Sequence, residues 1–293
     1  MKISVIIAAY NAGGTISRTL ESIIRQSRLP DEIIVMDDGS TDNTADVIKN
    51  FPGVKYFHQE NKGPAAARNN GVRASHGDYI SFLDSDDYWE ENHLKTLTKL
   101  IESNPDLKWA ATAYRKRLMS GEDKIVMLPL RFHSPSGIVD YFSATPELHF
   151  LSVISTAVRR EFFMSVGGFA EGYSRGEDLS LWLRLALAEP VLGYCPEPTA
   201  VYVETPSSLT AKRGELSSLV NRIIDDWECV CRHPKEKIDR AWPVVRPWVS
   251  GILIKILRSG DHEALDLLRG VFKERLSLWQ KTAIRVCRLR RGK

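Results

Sequence analysis

The chain has few cysteines, no long apolar run, no glycine-rich phosphate loop and almost no net charge. Its four cysteines stand at positions 195, 229, 231 and 287. Cys229 and Cys231 form a C-x-C without a second pair, so zinc-ribbon and paired-thiol redox motifs are excluded and the thiols read as reduced. No stretch approaches the roughly 18 uninterrupted apolar residues of a membrane-spanning helix. The opening run Met1 to Ile7 is too short for a signal peptide and reads as a first strand. A net charge of +3 over 293 residues argues against a nucleic-acid binder as a whole. The positive charge is instead concentrated at one end. Between Val271 and Lys293, eight Lys or Arg residues face the single acid Glu274, a local excess larger than that of the entire chain.

The first part of the chain alternates strand and helix signals. Ile3 to Ala8 is a continuous apolar run, as expected of a strand covered on both faces. Ile16, Leu20, Ile23 and Ile24 share one helical face within Thr15 to Arg25. Strands are predicted at Glu32 to Met36, Val54 to Phe57 and Tyr79 to Leu83. Helices are predicted at Thr41 to Asn50, with Ser40 or Thr41 as cap, and at Ala65 to Ser75. This rhythm predicts an α/β fold with a mostly parallel central sheet flanked by helices. After Asp87 the spacing predicts a helix at Asn92 to Ser103 and a strand near Trp109 to Tyr114. Residues 115–150 read as irregular. A strand near Val153 to Val158, a helix near Arg160 to Val166 and an amphipathic helix from Glu177 to Ala188 follow. From about Gly214 the pattern is all-helical, so the chain divides into a first domain over 1–210 and a helical C-terminal extension with a basic tail over 211–293.

In open α/β sheets ligands bind at the carboxyl ends of the strands. Three polar clusters fall there: Ala8-Ala9-Tyr10-Asn11, Met36-Asp37-Asp38-Gly39-Ser40 and Asp84-Ser85-Asp86-Asp87. Each also has a structural reading on its own. Asp and Gly suit a strand-to-helix turn, and acids suit a helix start, as at Asp84 to Asp87 or at Glu177-Asp178. The Asp84–Asp87 cluster is the most telling, because three acids in four positions repel one another unless a cation or solvent relieves them. Hard oxygen donors suit Mg²⁺ or Mn²⁺. An EF-hand is excluded, since the sixth and twelfth positions from Asp84 are Trp89 and Lys95.

The ordered set of Tyr10-Asn11, Asp37-Asp38-Gly39-Ser40-Thr41-Asp42, Asn61-Lys62-Gly63 with Ala66-Ala67-Arg68-Asn69, Phe82 to Asp87, Gly167-Gly168-Phe169 and Glu177-Asp178 resembles the family 2 glycosyltransferases of GT-A fold, over about residues 1–210. The resemblance implies an inverting transfer of a sugar from a nucleotide-diphosphate sugar, first of all a UDP-sugar, to a hydroxyl of a saccharide or lipid-linked acceptor in cell-surface polysaccharide synthesis. A hexosyl- or N-acetylhexosaminyl-transferase is implied. Residue by residue, it implies that Tyr10 and Asp38 hold the base, with Ala8 contributing backbone contacts. Arg68 and Lys62 would line the nucleotide pocket. Asp84 would contact ribose or a metal-bound water beside Ser85, Asp86 would bind Mn²⁺ or Mg²⁺, and Asp178 would be the catalytic base. Trp182 is expected in the core. The family often carries a His-containing stretch near the end of the catalytic domain; here Val201 to Thr210 has no His.

Two rival classes have signatures of their own. A nucleotidyltransferase would favour a glycine-rich basic loop after the first strand, where this chain has Tyr10-Asn11-Ala12-Gly13-Gly14. A non-catalytic nucleotide-sugar-binding or scaffold protein on the same fold is the second alternative, opposed by the intact Asp86 and Asp178. The segments Trp242 to Leu257 and Ala264 to Trp279 carry apolar residues at helical spacing and are expected to pack against the catalytic domain. Its basic tail, with Arg285, Arg288, Arg290, Arg291 and Lys293 beside Ile284, Val286 and Leu289, is suited to an anionic membrane surface. The expected location is cytoplasmic, with peripheral contact to the inner face of the plasma membrane.

Overall fold

The structure, a computed structural model, describes residues 1–132, 134, 137–145, 150–173, 175–205, 216–277 and 281. The chain order is β1 (Ile3–Ala9), α1 (Ile16–Ile24), β2 (Glu32–Asp37), α2 (Thr44–Ile48), β3 (Val54–His58), α3 (Pro64–Ala74), β4 (Tyr79–Asp84), β5 (Tyr88–Trp89), α4 (His93–Glu102), β6 (Trp109–Arg117), β7 (Asp123–Val126), β8 (Ile138–Asp140), α5 (Tyr141–Ala144), β9 (Thr156–Arg159), α6 (Arg160–Ser165), α7 (Glu177–Ala188), β10 (Val191–Val203), α8 (Leu216–Cys231), α9 (Lys235–Ser259) and α10 (His262–Phe272). It forms two compact units, one of Met1–Gly172 with Glu177–Ser208, the other of Tyr173–Gly176 with Leu209–Lys293.

The first unit is built on a sheet of order β3-β2-β1-β4-β9-β6-β10-β5. Strands β1, β2, β3 and β4 are parallel, as the β-α rhythm requires. Strand β9 is antiparallel to both β4 and β6, while β10 runs parallel to β6. The sheet is therefore mixed beyond its first four strands. Strand β1 is apolar throughout because it lies between β2 and β4 with Ile3, Val5, Ile6 and Ile7 fully buried. Helix α1 buries Ile16, Leu20 and Ile23, the face set by the i, i+4, i+7 spacing.

Several local expectations are corrected. The second helix begins at Thr44 after Asn43, with no side-chain cap from Ser40 or Thr41. Asp42 supplies the acceptor instead, taking the Thr44 amide at 3.0 Å. Residues 115–150 are not irregular throughout. They hold the end of β6, the hairpin partner β7, then β8 and α5. Residues Val153–Ser155 form a 3₁₀ turn and only Thr156–Arg159 is strand. The 13-residue β10 was missed altogether. Pro196 and Pro198 interrupt its apolar pattern, and the register with β6 shifts between Cys195 and Ala200, as proline in a strand demands.

His93 opens α4 fully buried. Its ring stacks on Trp89 with centroids 4.4 Å apart, and Nδ1 shares a 2.7 Å hydrogen bond with Thr199 Oγ1. Burial pushes the imidazole down from 6.5 to about 3. The folded value lies below the unfolded one, so the neutral ring's contribution to stability is complete above pH 6.5 and is lost progressively as pH falls toward 3. Urea unfolding between pH 7.5 and 5 is expected to show a loss approaching about 1.4 kcal/mol per pH unit from this residue. In His93→Asn that part of the slope should vanish; an unchanged slope would show that His93 is not its source.

The second unit is an assembly of α8, α9 and α10. Trp227, Trp242 and Phe272 pack ring to ring, with centroids 5.2 to 6.2 Å apart. Val244, Val245, Val249, Leu253 and Ile256 supply the buried face of α9. That helix continues through Pro243 and Pro247. Among the described residues no helix is long and apolar enough to cross a membrane. The basic residues Arg285, Arg288, Arg290, Arg291 and Lys293, and the stretch 206–210, lie outside the described residues.

Candidate active site

Parallel pairing brings three loop clusters to one sheet edge. Ala8 is in register with Met36 on one side and Asp84 on the other. The loops after β1 and β2 are then sewn together. The Asn11 amide donates to Ser40 Oγ at 2.9 Å, and Asn11 Oδ1 accepts the Thr41 amide at 2.8 Å. Asn11 holds a left-handed backbone, φ 49°, a conformation asparagine tolerates better than most residues. The amides of Ala12 and Gly13 donate to Thr44 Oγ1 and Asp42 Oδ2. Tyr10, fixed on this frame, stays 54% exposed, open to stack on a planar ligand.

The two acids after β2 have different surroundings from Tyr10. Asp38 is buried and accepts from Gln59 Nε2 at 2.7 Å and from the amides of Lys62 and Gly63 at 2.8 Å each. Its carboxylate shapes the 59–63 loop, leaving one Oδ2 lone pair for any further donor. Asp37, also buried, accepts from Tyr56 Oη at 2.7 Å and from the Ser40 amide at 2.9 Å. Burial and the Asp37 carboxylate push Tyr56 up to about 12. Gly39 makes the turn possible: its φ is 81°, and a Cβ there would meet the Asn61 amide nitrogen at 3.0 Å. Lys62 has an exposed side chain and enters the site through its backbone.

The acidic loop after β4 is held from outside. Arg18 Nη2 donates to the Asp86 carbonyl, and Thr19 Oγ1 donates to the Asp87 carbonyl at 2.8 Å. Within the loop the acids divide. Asp84 is ion-paired to Arg68 Nη2 at 2.6 Å. Asp87 is fully buried and accepts the Val203 amide at 2.7 Å, which ties the loop to the end of β10. Burial, then Asp84 and Asp86, push Asp87 well above the usual carboxylate range. Ser85 and Asp86 are half-buried. Burial and the Asp84 charge push Asp86 up to about 6. No ion pair holds it among the described residues, and its carboxylate stands where added positive charge is favoured.

Arg68 joins this loop to α7. Its guanidinium, only 7% exposed, reaches Asp84 with Nη2 and Glu177 Oε1 with Nη1 at 3.2 Å, and lies 5.3 Å from the Phe169 ring centre. Burial lowers and these two carboxylates raise its pKa, and the carboxylates prevail. The next residue, Asn69, fixes the Gly167-Gly168-Phe169 turn, donating to the Phe169 carbonyl at 2.9 Å and accepting the Phe169 amide at 2.9 Å. Asp178, the second residue of α7, accepts its neighbour Leu179's amide at 2.8 Å. Tyr114 feels Asp178: burial first, then that carboxylate, push its hydroxyl up to about 12. Trp182 is buried and stacks on Trp109 at 6.3 Å, as expected of a core residue.

Sequence reading thus did not find Tyr56, Tyr114, Arg18 and Asn69, and it gave Glu177 no separate role. Only Asn69 had a signal, its place beside Arg68 in a quoted motif. Among the described residues no three His, Cys, Asp or Glu side chains form a ready cage for a metal. Asp84 and Asp86 offer hard carboxylate oxygens, the donor chemistry of an ion such as Mg²⁺ that takes one or two carboxylates and completes its shell with phosphate and water.

The family model described as glycosyl transferase family 2 matches residues 4–167. An uncharacterized glycosyltransferase of Rickettsia felis is 31% identical over 205 residues, which are 69% of this chain and 33% of that protein. The chain thus spans about a third of the length of the first curated relatives it matches. A UDP-Glc:alpha-D-GlcNAc-diphosphoundecaprenol beta-1,3-glucosyltransferase of Escherichia coli, WfaP, is 41% identical over 104 residues, 34% of this chain and 41% of that one. Among solved structures, Staphylococcus aureus TarS 1–349 in complex with UDP-GlcNAc aligns with a TM-score of 0.71 at 17% identity, covering 98% of this chain and 79% of TarS 1–349. That likeness is one of fold, and the fold is of GT-A type.

Proposed function

From the premise that this chain belongs to glycosyl transferase family 2, we propose that it is an inverting glycosyltransferase moving a sugar from a UDP-sugar to a hydroxyl of a saccharide or lipid-linked acceptor in cell-surface polysaccharide synthesis. The observation that carries the reading is the Arg68 guanidinium, which ties Asp84 of the acidic loop to Glu177 at the head of α7. It joins the acidic loop to the head of the helix that carries the candidate base.

Tyr10 stacks on the base. Asp38 acts chiefly by holding the Lys62 and Gly63 amides in place, with its free lone pair available to the base, and Ala8 offers backbone groups. Asp84 and Ser85 face ribose and diphosphate, and Asp86 holds Mn²⁺ or Mg²⁺. When bound, that ion neutralises charge building on the diphosphate leaving group. Asp178 takes the proton from the acceptor hydroxyl, a poor nucleophile on its own, as the hydroxyl attacks the anomeric carbon and the C–O bond to the diphosphate breaks. The UDP-Glc donor of WfaP and the UDP-GlcNAc bound to TarS support a UDP-sugar donor, and the diphosphoundecaprenol acceptor of WfaP supports a lipid diphosphate-linked acceptor. The basic C-terminal segment would contact anionic lipid, placing the enzyme on the inner face of the plasma membrane.

A thermal-shift series with UDP, GDP, dTDP and CDP, each with Mn²⁺, Mg²⁺ or EDTA, tests the donor side. Ligand at a hundredfold over Kd stabilises the native state by about 2.7 kcal/mol. The expected result is a shift with UDP that needs metal and is lost in Asp86→Ala. A shift with no nucleotide would favour a scaffold on the same fold. A UDP shift that survives both EDTA and Asp86→Ala would remove the metal assignment.

A further inference from the structure

Within the first unit, side chains of α1 and of the turn after it bind the segment from Asp86 to Leu94. Arg18 donates to the Asp86 carbonyl and Thr19 to the Asp87 carbonyl. Ser22 Oγ accepts the Trp89 amide at 3.2 Å. Gln26 Nε2 donates to the Glu90 carbonyl at 2.7 Å, while its Oε1 accepts the Leu94 amide at 3.0 Å. Ser27 reaches the Glu91 carbonyl with its amide at 2.7 Å and its hydroxyl at 3.0 Å. Residues 18 or 19, 22 and 26 recur one helical turn apart and so share one edge. Thr19 and Gln26 are buried, so a lost partner there leaves a bare polar group. A second set of bonds ties the same segment to β10. Tyr88 and Trp89 pair with Val201 and Ala200, the Glu90 amide donates to the Thr199 carbonyl at 2.9 Å, and Asp87 accepts the Val203 amide.

Each of these bonds from α1 ends on a main-chain group. At Asp86 the arginine takes the carbonyl, and the half-buried carboxylate enters no ion pair among the described residues. A carboxylate that must receive a cation is best fixed through its backbone, since a side-chain tether would occupy the oxygens the ion needs. We propose that Thr19, Ser22 and Gln26 are positioning residues, which hold the backbone of the 86–91 segment so that the Asp86 carboxylate is in place before a divalent cation arrives. The inference rests on Asp86 being the metal ligand, as read above. It gives the polar edge of α1 a part in the site that the acidic motif does not reveal.

The test uses the full chain with Thr19→Val, Thr19→Ser and Gln26→Met, and with Ser22→Ala as a milder change should Gln26→Met fail to fold. Tyr79→Phe is the control: it removes another buried hydrogen bond of the same unit, from Tyr79 Oη to the Leu107 carbonyl at 2.6 Å. Mn²⁺ affinity is read from the electron paramagnetic resonance signal of the free ion at saturating UDP, and amide exchange is read on the metal-free chain. Thr19→Val and Gln26→Met are expected to speed exchange of the Asp87, Trp89 and Glu90 amides by about tenfold. They should weaken Mn²⁺ binding by about 10- to 100-fold, the usual effect of losing a group that orients a metal ligand. Thr19→Ser keeps the hydroxyl and should bind Mn²⁺ as the wild type does. Tyr79→Phe should lower the urea midpoint and leave Mn²⁺ affinity unchanged. Unchanged Mn²⁺ affinity in Thr19→Val and Gln26→Met would overturn the proposal, as would an equal loss in Tyr79→Phe, since general loosening would then suffice. A wild type that binds Mn²⁺ no better than Asp86→Ala would remove the metal reading and the proposal with it.

Discussion

Asp178→Asn is expected to lower turnover of the UDP-sugar by about 10²–10⁴-fold, the usual contribution of a positioned base, while the chain stays folded and still binds UDP with Mn²⁺. The substitution is nearly isosteric. The hydrogen bond from the Leu179 amide to Oδ1 can be accepted equally by an amide oxygen. What the amide cannot do is take a proton. The acidic loop and the 59–63 loop are held by Arg18, Thr19, Arg68, Asp38 and Val203. Loss should therefore fall on kcat, with the donor's KM unchanged. The measurement is steady-state turnover beside a UDP thermal shift on the same preparation. Full activity would remove Asp178 from the mechanism, and loss of UDP binding would move it to the donor pocket.

The part of the fold legible in the sequence is the part whose signals are local. Strands β1, β2 and β4 are short apolar runs that end at Asp or run into Tyr10-Asn11, and a parallel β-α rhythm brings those ends together before any side chain is placed. Strand β10 was invisible because its two prolines mimic a turn, and only the partner β6 reveals that the strand continues through a bulge. At the site, residue types were legible but their division of labour was not. Asp38 read as a base ligand, yet most of its carboxylate is taken up by the loop after β3. Asp87 read as the third acid of its cluster with no role of its own, yet it is the buried anchor of Val203. Tyr114 was silent because its proximity to Asp178 joins positions 64 residues apart, and no periodicity carries information over such a distance.

Arg68→Met is expected to be the most damaging single change in the first unit. Arginine reaches both Asp84 and Glu177 because its planar fork presents separate donors to two carboxylates. Methionine keeps much of the packing against Phe169 but leaves both acids with no counter-charge in a place already crowded by Asp86 and Asp87. Removing one partner of a buried ion pair costs about 3–5 kcal/mol, since the remaining charge is stranded. The urea midpoint should fall by a corresponding amount with an unchanged slope. Arg68→Lys should fall between, because a single ammonium is a poor substitute for a two-armed bridge. The electrostatic origin of the loss has its own signature. With Arg68 gone, the acid cluster is more negative, so millimolar Mn²⁺ should stabilise Arg68→Met more than it stabilises the wild type. Equal stabilisation of both proteins by Mn²⁺, together with a small midpoint change, would mean that water screens these carboxylates and that Arg68 does not bind the site together.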